Sequence, residues 1–360
     1  MQVSLCLIVK DEEKHLGTCL ESFRNLYDEL IVVDTGSSDD TKVIAEEYGA
    51  RVFDFEWIDD FSAARNFALS KATGDWIMSL DADDTIEPEV AQELRSYLEE
   101  GAESGSVISL PYVYHRLSGA AGNTATLPRL WKRELELKYF YPIHEYLEVS
   151  KVPSSDIRRL DFPIIHNKST EEYAPGFERN VKILEAYIKN HPGDLRILYY
   201  LVHDNKQLGR FDDAVRWAEK YLEAESGDLV KRAKLLIHKG QCHVKLRQGE
   251  RAQEAFLGAM NAAPELIEPY LEMGDMNYRA GRYKKAIELY DQAKHCSFPE
   301  NSLAFHNRAI YDYFAIRKLC YILPMVGRYN EALKYAKETL RYTPGDKKLI
   351  HHIETLKAKL

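Results

Sequence analysis

Cysteine is scarce and unpaired in this chain: Cys6, Cys19, Cys242, Cys296 and Cys320 are scattered over 360 residues with no Cys-x-x-Cys among them. That spacing excludes a disulfide framework and a zinc cluster, and it fits a reducing cytoplasm. Long apolar runs are missing too, since nothing approaches the ~20 residues that span a bilayer. The opening MQVSLCLIVK has no basic stretch ahead of its short apolar run, so it predicts a first strand and not a signal peptide. Basic charge is deficient in the first part. Residues 1–170 hold 17 Lys and Arg against 31 Asp and Glu, a net of −14, whereas 171–360 carry +5. An acidic half argues against a nucleic-acid partner. The mildly basic half reads either as an ordinary solvated surface or as a dock for an acidic partner. Finally, no G-x-G-x-x-G and no P-loop follow the first strand. The loop there is VKDEEKHLG, which is acidic, so any bound phosphate must be met by a cation.

What is present is enough for two domains: 360 residues, 45% hydrophobic and 29% charged. Up to about residue 170, strands alternate with helices. VSLCLIV, ELIVVD, RVFDF and DWIMSLD read as strands, and TKVIAEEYG, SAARNFALSKA and EPEVAQELRSYLEE as helices. This order predicts a largely parallel α/β sheet with its ligand site at the carboxyl ends of the strands. NKSTEEYAPG (167–176) reads as a linker, which divides the chain into 1–170 and 171–360. Beyond it only helices are expected, and they repeat. GRFDDA (209–214), GRYKKA (281–286) and GRYNEA (327–332) match one another, with ERAQEA (250–255) a weaker copy, and PGD at 192–194 returns as SGD 34 residues later. That is the tetratricopeptide period, with Gly at the turn inside each helical pair and Ala where helices approach closely. Such an array presents a concave surface to a peptide or protein, or it serves as a scaffold. The closing LIHHIETLKAKL either caps the array or pairs two chains into a homodimer.

The chemistry concentrates at MSLDADDTIEPE (78–89), where a hydrophobic strand runs into Asp81, Asp83 and Asp84. Residues i and i+2 of a strand share a side, so Asp81 and Asp83 emerge together. Two carboxylates there suit Mg²⁺ or Mn²⁺ bridging to substrate phosphate. The competing reading is that Asp84 or Thr85 caps the next helix. An EF-hand is excluded, because Ile86 and Gln92 stand where Gly and Glu are required. Asp34, after the second strand, is placed either to bind a nucleoside or to cap its turn. Arg65 either contacts the nucleoside from a neighbouring helix start or forms an exposed ion pair.

SLCLIVKDEEKHLGTCLES, ELIVVDTGSSDDT, FSAARNFAL and WIMSLDADD, in this order, resemble a family-2 glycosyltransferase with the GT-A fold over roughly residues 1–170. The added repeats resemble a bacterial subgroup that includes the sublancin S-glycosyltransferase, whose acceptor is a peptide cysteine. The resemblance implies a nucleotide-sugar domain, a UDP-sugar donor, and Mn²⁺ or Mg²⁺. It places Val9, Lys10 and Glu12 on the base, with Asp11 beside them. Asp34 and Arg65 complete the nucleoside pocket. Asp81 lies toward the ribose, Asp83 on the metal, Glu145 of YPIHEYLE acts as base, and His166 of FPIIHNKS is a metal ligand. His144-Glu145 is otherwise a structural pair; it is not a zinc-protease motif, since Glu148 stands where the second His belongs.

Displacing a nucleoside diphosphate from a sugar puts charge on the leaving phosphate, which a metal on Asp83 stabilises. A single in-line displacement needs one base and inverts the anomeric centre. Arg129 is a further phosphate candidate. Trp131 either stacks on a sugar or lies in the core, and Gly119 to Gly122 suggest a lid. The leading expectation is an inverting, metal-dependent transferase moving a hexose or N-acetylhexosamine to a peptide or protein docked on the repeats. The alternatives are transfer to an envelope or spore-surface glycan, and a non-catalytic tetratricopeptide adaptor.

Overall fold

The structure is a computed structural model that describes residues 1–100, 105–114, 124–167, 170–224, 227–297 and 310–360. It divides into two compact units, Met1–Asn190 and His191–Leu360. Within the first, the chain runs β1 (Val3–Val9), α1 (Leu16–Ser22), β2 (Glu29–Asp34), α2 (Thr41–Glu47), β3 (Arg51–Asp54), α3 (Phe61–Leu69) and β4 (Trp76–Leu80). It continues through β5 (Asp84–Thr85), α4 (Pro88–Glu99), β6 (Val107–Tyr114), β7 (Thr124–Lys132), β8 (Tyr139–Phe140), β9 (Tyr146–Leu147), β10 (Ile157–Arg159), β11 (Ile164–His166) and α5 (Thr170–Asn190). The seven elements quoted from the sequence all appear as expected. The linker-like stretch is different: from Thr170 it is the beginning of α5, and α5 groups with the first unit.

Among the described residues the main sheet has the order β3-β2-β1-β4-β7-β6-β11-β5, with β10 on β6. The first four strands are parallel, as β-α-β connection demands; β7 is antiparallel to β4 and β6. Being buried on both faces, the central strands carry continuous apolar runs instead of alternation. Val3, Leu5, Leu7 and Val9 face one core, with Leu16 and Leu20 of α1, while Cys6 faces the other with Ile31, Val33 and Ala68. The topology matters because β1, β2, β4, β6 and β11 all end at one edge of the sheet. Val9, Asp34, Asp81, Tyr112 and His166 are gathered there.

The second unit contains α6 (Leu195–Gln207), α7 (Phe211–Glu223), α8 (Leu229–Lys245), α9 (Gly249–Ala262), α10 (Glu268–Arg279), α11 (Tyr283–Ala293), α12 (Ala315–Ile322), α13 (Tyr329–Tyr342) and α14 (Lys347–Lys357). Gly209, Gly281 and Gly327 adopt the left-handed conformation at the turns within pairs, where a side chain is disfavoured. Ala214, Ala286 and Ala332, five residues later, are fully buried between helices. The weak copy sits in a different register from the one its sequence suggested. Arg247, at φ 59°, takes the glycine's place, and Ala252 is the equivalent buried alanine. The same backbone closure confirms it, with Gln248 N–H donating to His243 O as Arg282 N–H does to Asn277 O. Gly240 of α8 and Gly274 of α10 allow close approach, since a Cβ there would fall 2.5 Å from Phe256 and 2.3 Å from Tyr290.

Candidate active site

At the end of β4 the chain turns so tightly that Asp84 N–H donates to Asp81 O (3.1 Å) and Asp84 Oδ2 accepts from Asp81 N–H (2.9 Å). Asp84 does not cap the following helix. The cap position is Glu87, which makes no side-chain cap bond, and Pro88 starts the helix. Instead Asp84 begins β5, opposite His166 in the antiparallel pairing with β11. Asp81, Asp83, Asp84 and His166 each offer a ligand atom, and these atoms lie within 4.8 Å of one another. His166 Nδ1 is 3.1 Å from Asp83 Oδ1 and 2.9 Å from Asp84 Oδ1. Adjacent ligands of an octahedral ion with bonds of about 2.0–2.1 Å stand about 3 Å apart, so the spacing of Asp83 and His166 fits a Mg²⁺- or Mn²⁺-type ion. Burial disfavours the imidazolium, but hydrogen bonds to Asp83 and Asp84 outweigh it and push His166 up to about 10. Asp84 is fully buried, and burial together with the charge of Asp81 raises its carboxyl.

Asn167 secures the turn from the far side. Its backbone N–H and Nδ2 each donate to Asp83 O at 3.1 Å, and Nδ2 also reaches Thr85 Oγ1 at 2.8 Å. Tyr112 of β6, unassigned by sequence, donates from its hydroxyl toward Asp84 Oδ1 (2.6 Å) and Asp81 Oδ2 (3.1 Å). The signal that would have found Asp84 and Tyr112 is not local: it needs the strand pairing.

Arg65 lies at the centre. From the middle of α3 its Nη2 donates to Asp81 Oδ1 and its Nε to Glu145 Oε1, both at 2.6 Å. It does form ion pairs, with two site carboxylates, but Arg65 is buried and these are not the exposed pair expected. Burial opposes ionisation of Asp81, yet Arg65, Arg129 and His166 hold it well below the usual carboxylate range. Glu145 is placed by a constrained loop. Tyr141 and His144 take left-handed backbone, Phe61 N–H donates to Pro142 O (2.8 Å), and the Tyr141 ring meets Tyr187 of α5 at 5.7 Å. Arg129 is buried over the Tyr112 ring (4.3 Å), with Nη2 3.9 Å from Asp81. Arg65 Nη1 and Arg129 Nε are buried N–H groups with no hydrogen-bond partner among the described residues.

The β1 and β2 loops are tied to each other. Val9 O accepts from Thr35 N–H (2.9 Å) and Oγ1 (3.0 Å), and Asp11 Oδ1 accepts from Ser38 N–H (2.7 Å). Lys10 is exposed, and Glu12 N–H donates to Thr41 Oγ1 (2.8 Å). Asp34 caps its own turn, accepting from Gly36 and Ser37 N–H at 3.0 Å. Trp131 is corrected: two residues inward from Arg129 on the same strand, it is completely buried, packed 6.3 Å from Tyr139 in the core with Cys6 and Ile77. It has no face to offer a sugar. The expected lid, Gly119 to Gly122, lies outside the described residues.

Residues 4–152 match the Glycosyl transferase family 2 model. A TPR repeat-containing protein of Synechococcus elongatus is 34% identical over 301 residues, which cover 80% of this chain and 71% of that one. The SPbeta prophage-derived glycosyltransferase SunS of Bacillus subtilis is 25% identical over 232 residues, 59% of this chain and 51% of SunS. A solved structure, glucosyl-3-phosphoglycerate synthase from Mycobacterium tuberculosis with Mn²⁺, UDP and glucosyl-3-phosphoglycerate, aligns at 19% identity with a TM-score of 0.36, covering 49% of this chain and 79% of that one. A likeness that weak carries no argument about chemistry.

Proposed function

Because the chain belongs to glycosyl transferase family 2 and is a glycosyltransferase with a GT-A domain, we propose that it moves a hexose or N-acetylhexosamine from a UDP-sugar to a peptide or protein, with inversion. The observation that carries this reading is the convergence of Asp81, Asp83, Asp84 and His166 at the carboxyl edge of the sheet. Asp83 and His166 would hold Mn²⁺ or Mg²⁺, which when bound supplies positive charge to the diphosphate as it leaves. The edge loops carrying Val9, Lys10, Asp11, Glu12 and Asp34 would receive the nucleoside. Arg65 and Arg129 bring two fixed guanidiniums, each with a buried N–H that has no acceptor among the described residues. That surplus supports an anion at this place, because buried donors are normally satisfied.

Glu145 would take the acceptor's proton as the acceptor oxygen or sulfur bonds to the anomeric carbon and the bond to the diphosphate breaks. Arg65 bonds Glu145 and connects the base to Asp81 beside the leaving group. Once Glu145 is neutralised, the guanidinium is free to compensate charge on the phosphate side.

Support for a peptide acceptor lies in the repeat unit. Tyr199, His203 and Lys206 of α6, Lys234, His238 and Gln241 of α8, and Glu268, Glu272 and Asp275 of α10 recur at i, i+4 and i+7, one face of each helix. They form a ladder across helices: Lys206 Nζ reaches His238 Nδ1 (2.9 Å) and Gln241, and Gln241 Nε2 donates to Glu272 (2.7 Å). Such a polar row suits an extended chain with many backbone groups to satisfy.

The experiment is thermal unfolding with UDP and Mn²⁺. The wild type is expected to melt higher and Asp83→Ala not to; equal shifts would remove the metal from the reading. Labelled UDP-sugar incubated with peptide extract tests the acceptor, and label found only on glycan or lipid would refute the peptide.

A further inference from the structure

β11 lies between β6 and β5, and this places three strands' side chains around one nitrogen. His166 is the register partner of Asp84 on one side and of Tyr114 on the other, while Tyr112 pairs with Ile164 two residues earlier. Around His166 Nδ1 stand the Tyr112 hydroxyl at 2.6 Å, Asp84 Oδ1 at 2.9 Å and Asp83 Oδ1 at 3.1 Å. The Tyr112 hydroxyl is also 2.6 Å from Asp84 and 3.1 Å from Asp81. The Tyr114 ring meets His166 edge-on at 5.5 Å and Tyr112 at 5.1 Å, closing the imidazole's other side.

Asp84 differs from its neighbours. It is 0% exposed and Tyr112 is 2% exposed, and both Asp84 oxygens are already engaged, Oδ1 by Tyr112 and His166, Oδ2 by the backbone N–H of Asp81. A carboxylate sealed from solvent is costly and is stable only with its partners in place. These bonds constrain the plane of His166 and the backbone of the Asp81-Ala82-Asp83 turn. The geometry does not recommend Asp84 as an open ligand.

We infer that Asp84 and Tyr112 are positioning residues, which hold the imidazole of His166 and the carboxylate of Asp83 in the arrangement that receives a divalent cation. The inference rests on the reading of this cluster as a cation site. Tyr112→Phe isolates the hydroxyl, because the ring that carries Arg129 at 4.3 Å and Tyr114 at 5.1 Å stays in place. Asp84→Asn preserves shape while turning one oxygen into a donor.

The test is titration of Mn²⁺ alone into the protein, with free ion followed by electron paramagnetic resonance, alongside thermal melting without metal. Loss of groups that orient metal ligands typically weakens affinity about 10- to 100-fold. That weakening is expected in both variants, with the metal-free melt of Tyr112→Phe close to wild type. Wild-type affinity in both variants would overturn the inference while leaving the cation site standing. Failure of the wild type itself to bind Mn²⁺ would overturn the cation reading and this inference with it. Should Asp84→Asn fail to fold, Tyr112→Phe decides the matter.

Discussion

Replacing Arg65 by Met removes the one guanidinium that bonds both Asp81 and Glu145, and the structure allows the effect to be sized. The Glu145 side chain is 12% exposed, so stranding it is equivalent to breaking a buried ion pair, about 3–5 kcal/mol. Asp81 is 31% exposed and keeps some solvent and Arg129, so its loss adds only about 1 kcal/mol. Against this, the variant disposes of the unsatisfied Nη1, a return of about 1 kcal/mol. The expected cost at pH 7 is about 4 kcal/mol, read from urea unfolding of the Met1–Asn190 unit. Its pH dependence has a definite sign. Asp81 is held below its ordinary value of 3.8, so the stability it contributes is present above that value and is lost as pH falls through the folded-state value. In the variant Asp81 has lost its strongest cation, so less of that contribution is there to lose. The gap between the two proteins should therefore stay level from pH 7 to about pH 4 and narrow below it, and Asp81→Asn with Glu145→Gln in the Arg65→Met background should recover much of the loss. A cost under about 1 kcal/mol, or a gap independent of pH, would refute the central bridge.

Glu145→Gln is expected to keep donor binding and lose transfer by at least about 100-fold, as removal of a general base does; undiminished turnover would assign the base elsewhere. Lys234 is 9% exposed, and burial lowers its ammonium to about 8. The unfolded chain then binds the extra proton between about 8 and 10.5, so stability of the repeat unit should rise with pH across that window. Lys234→Met should abolish the rise; an unchanged pH profile in the variant would contradict this. Gly274→Ala sets a Cβ 2.3 Å from the buried Tyr290 ring and should destabilise by about 1–2 kcal/mol despite better helix propensity. Gly258→Ala meets only Leu236 at 3.4 Å and should be neutral or stabilising by chemical denaturation.

Much was legible in the residues themselves. Alternating apolar runs and polar helices fixed the order from β1 to α4, and Asp81 and Asp83 were readable as acids following an apolar strand, although a turn after Leu80, and not the strand parity expected, is what brings them together. The repeat glycines were equally plain, since a left-handed turn leaves few choices of residue. Reading failed where one position tolerates an exception. Arg247 occupies a left-handed turn that its neighbours fill with Gly, and the register of that repeat slipped. Trp131 had the right strand and the right face, but two residues of depth turned it from an exposed ring into core.

By itself, then, the chain determined its elements and its chemistry: propensity, periodicity and the run of aspartates are local properties. Only the tertiary structure decided who meets whom. That Arg65 joins Glu145 to Asp81 across 80 and 16 positions follows from α3 packing against the segment from Tyr139 to Pro142, and that Asp84 and Tyr112 meet at one nitrogen of His166 follows from β11 inserting between β6 and β5. The physical reason is that pairing between distant strands is selected by burial and hydrogen bonding summed over the whole sheet, which no local stretch of sequence contains.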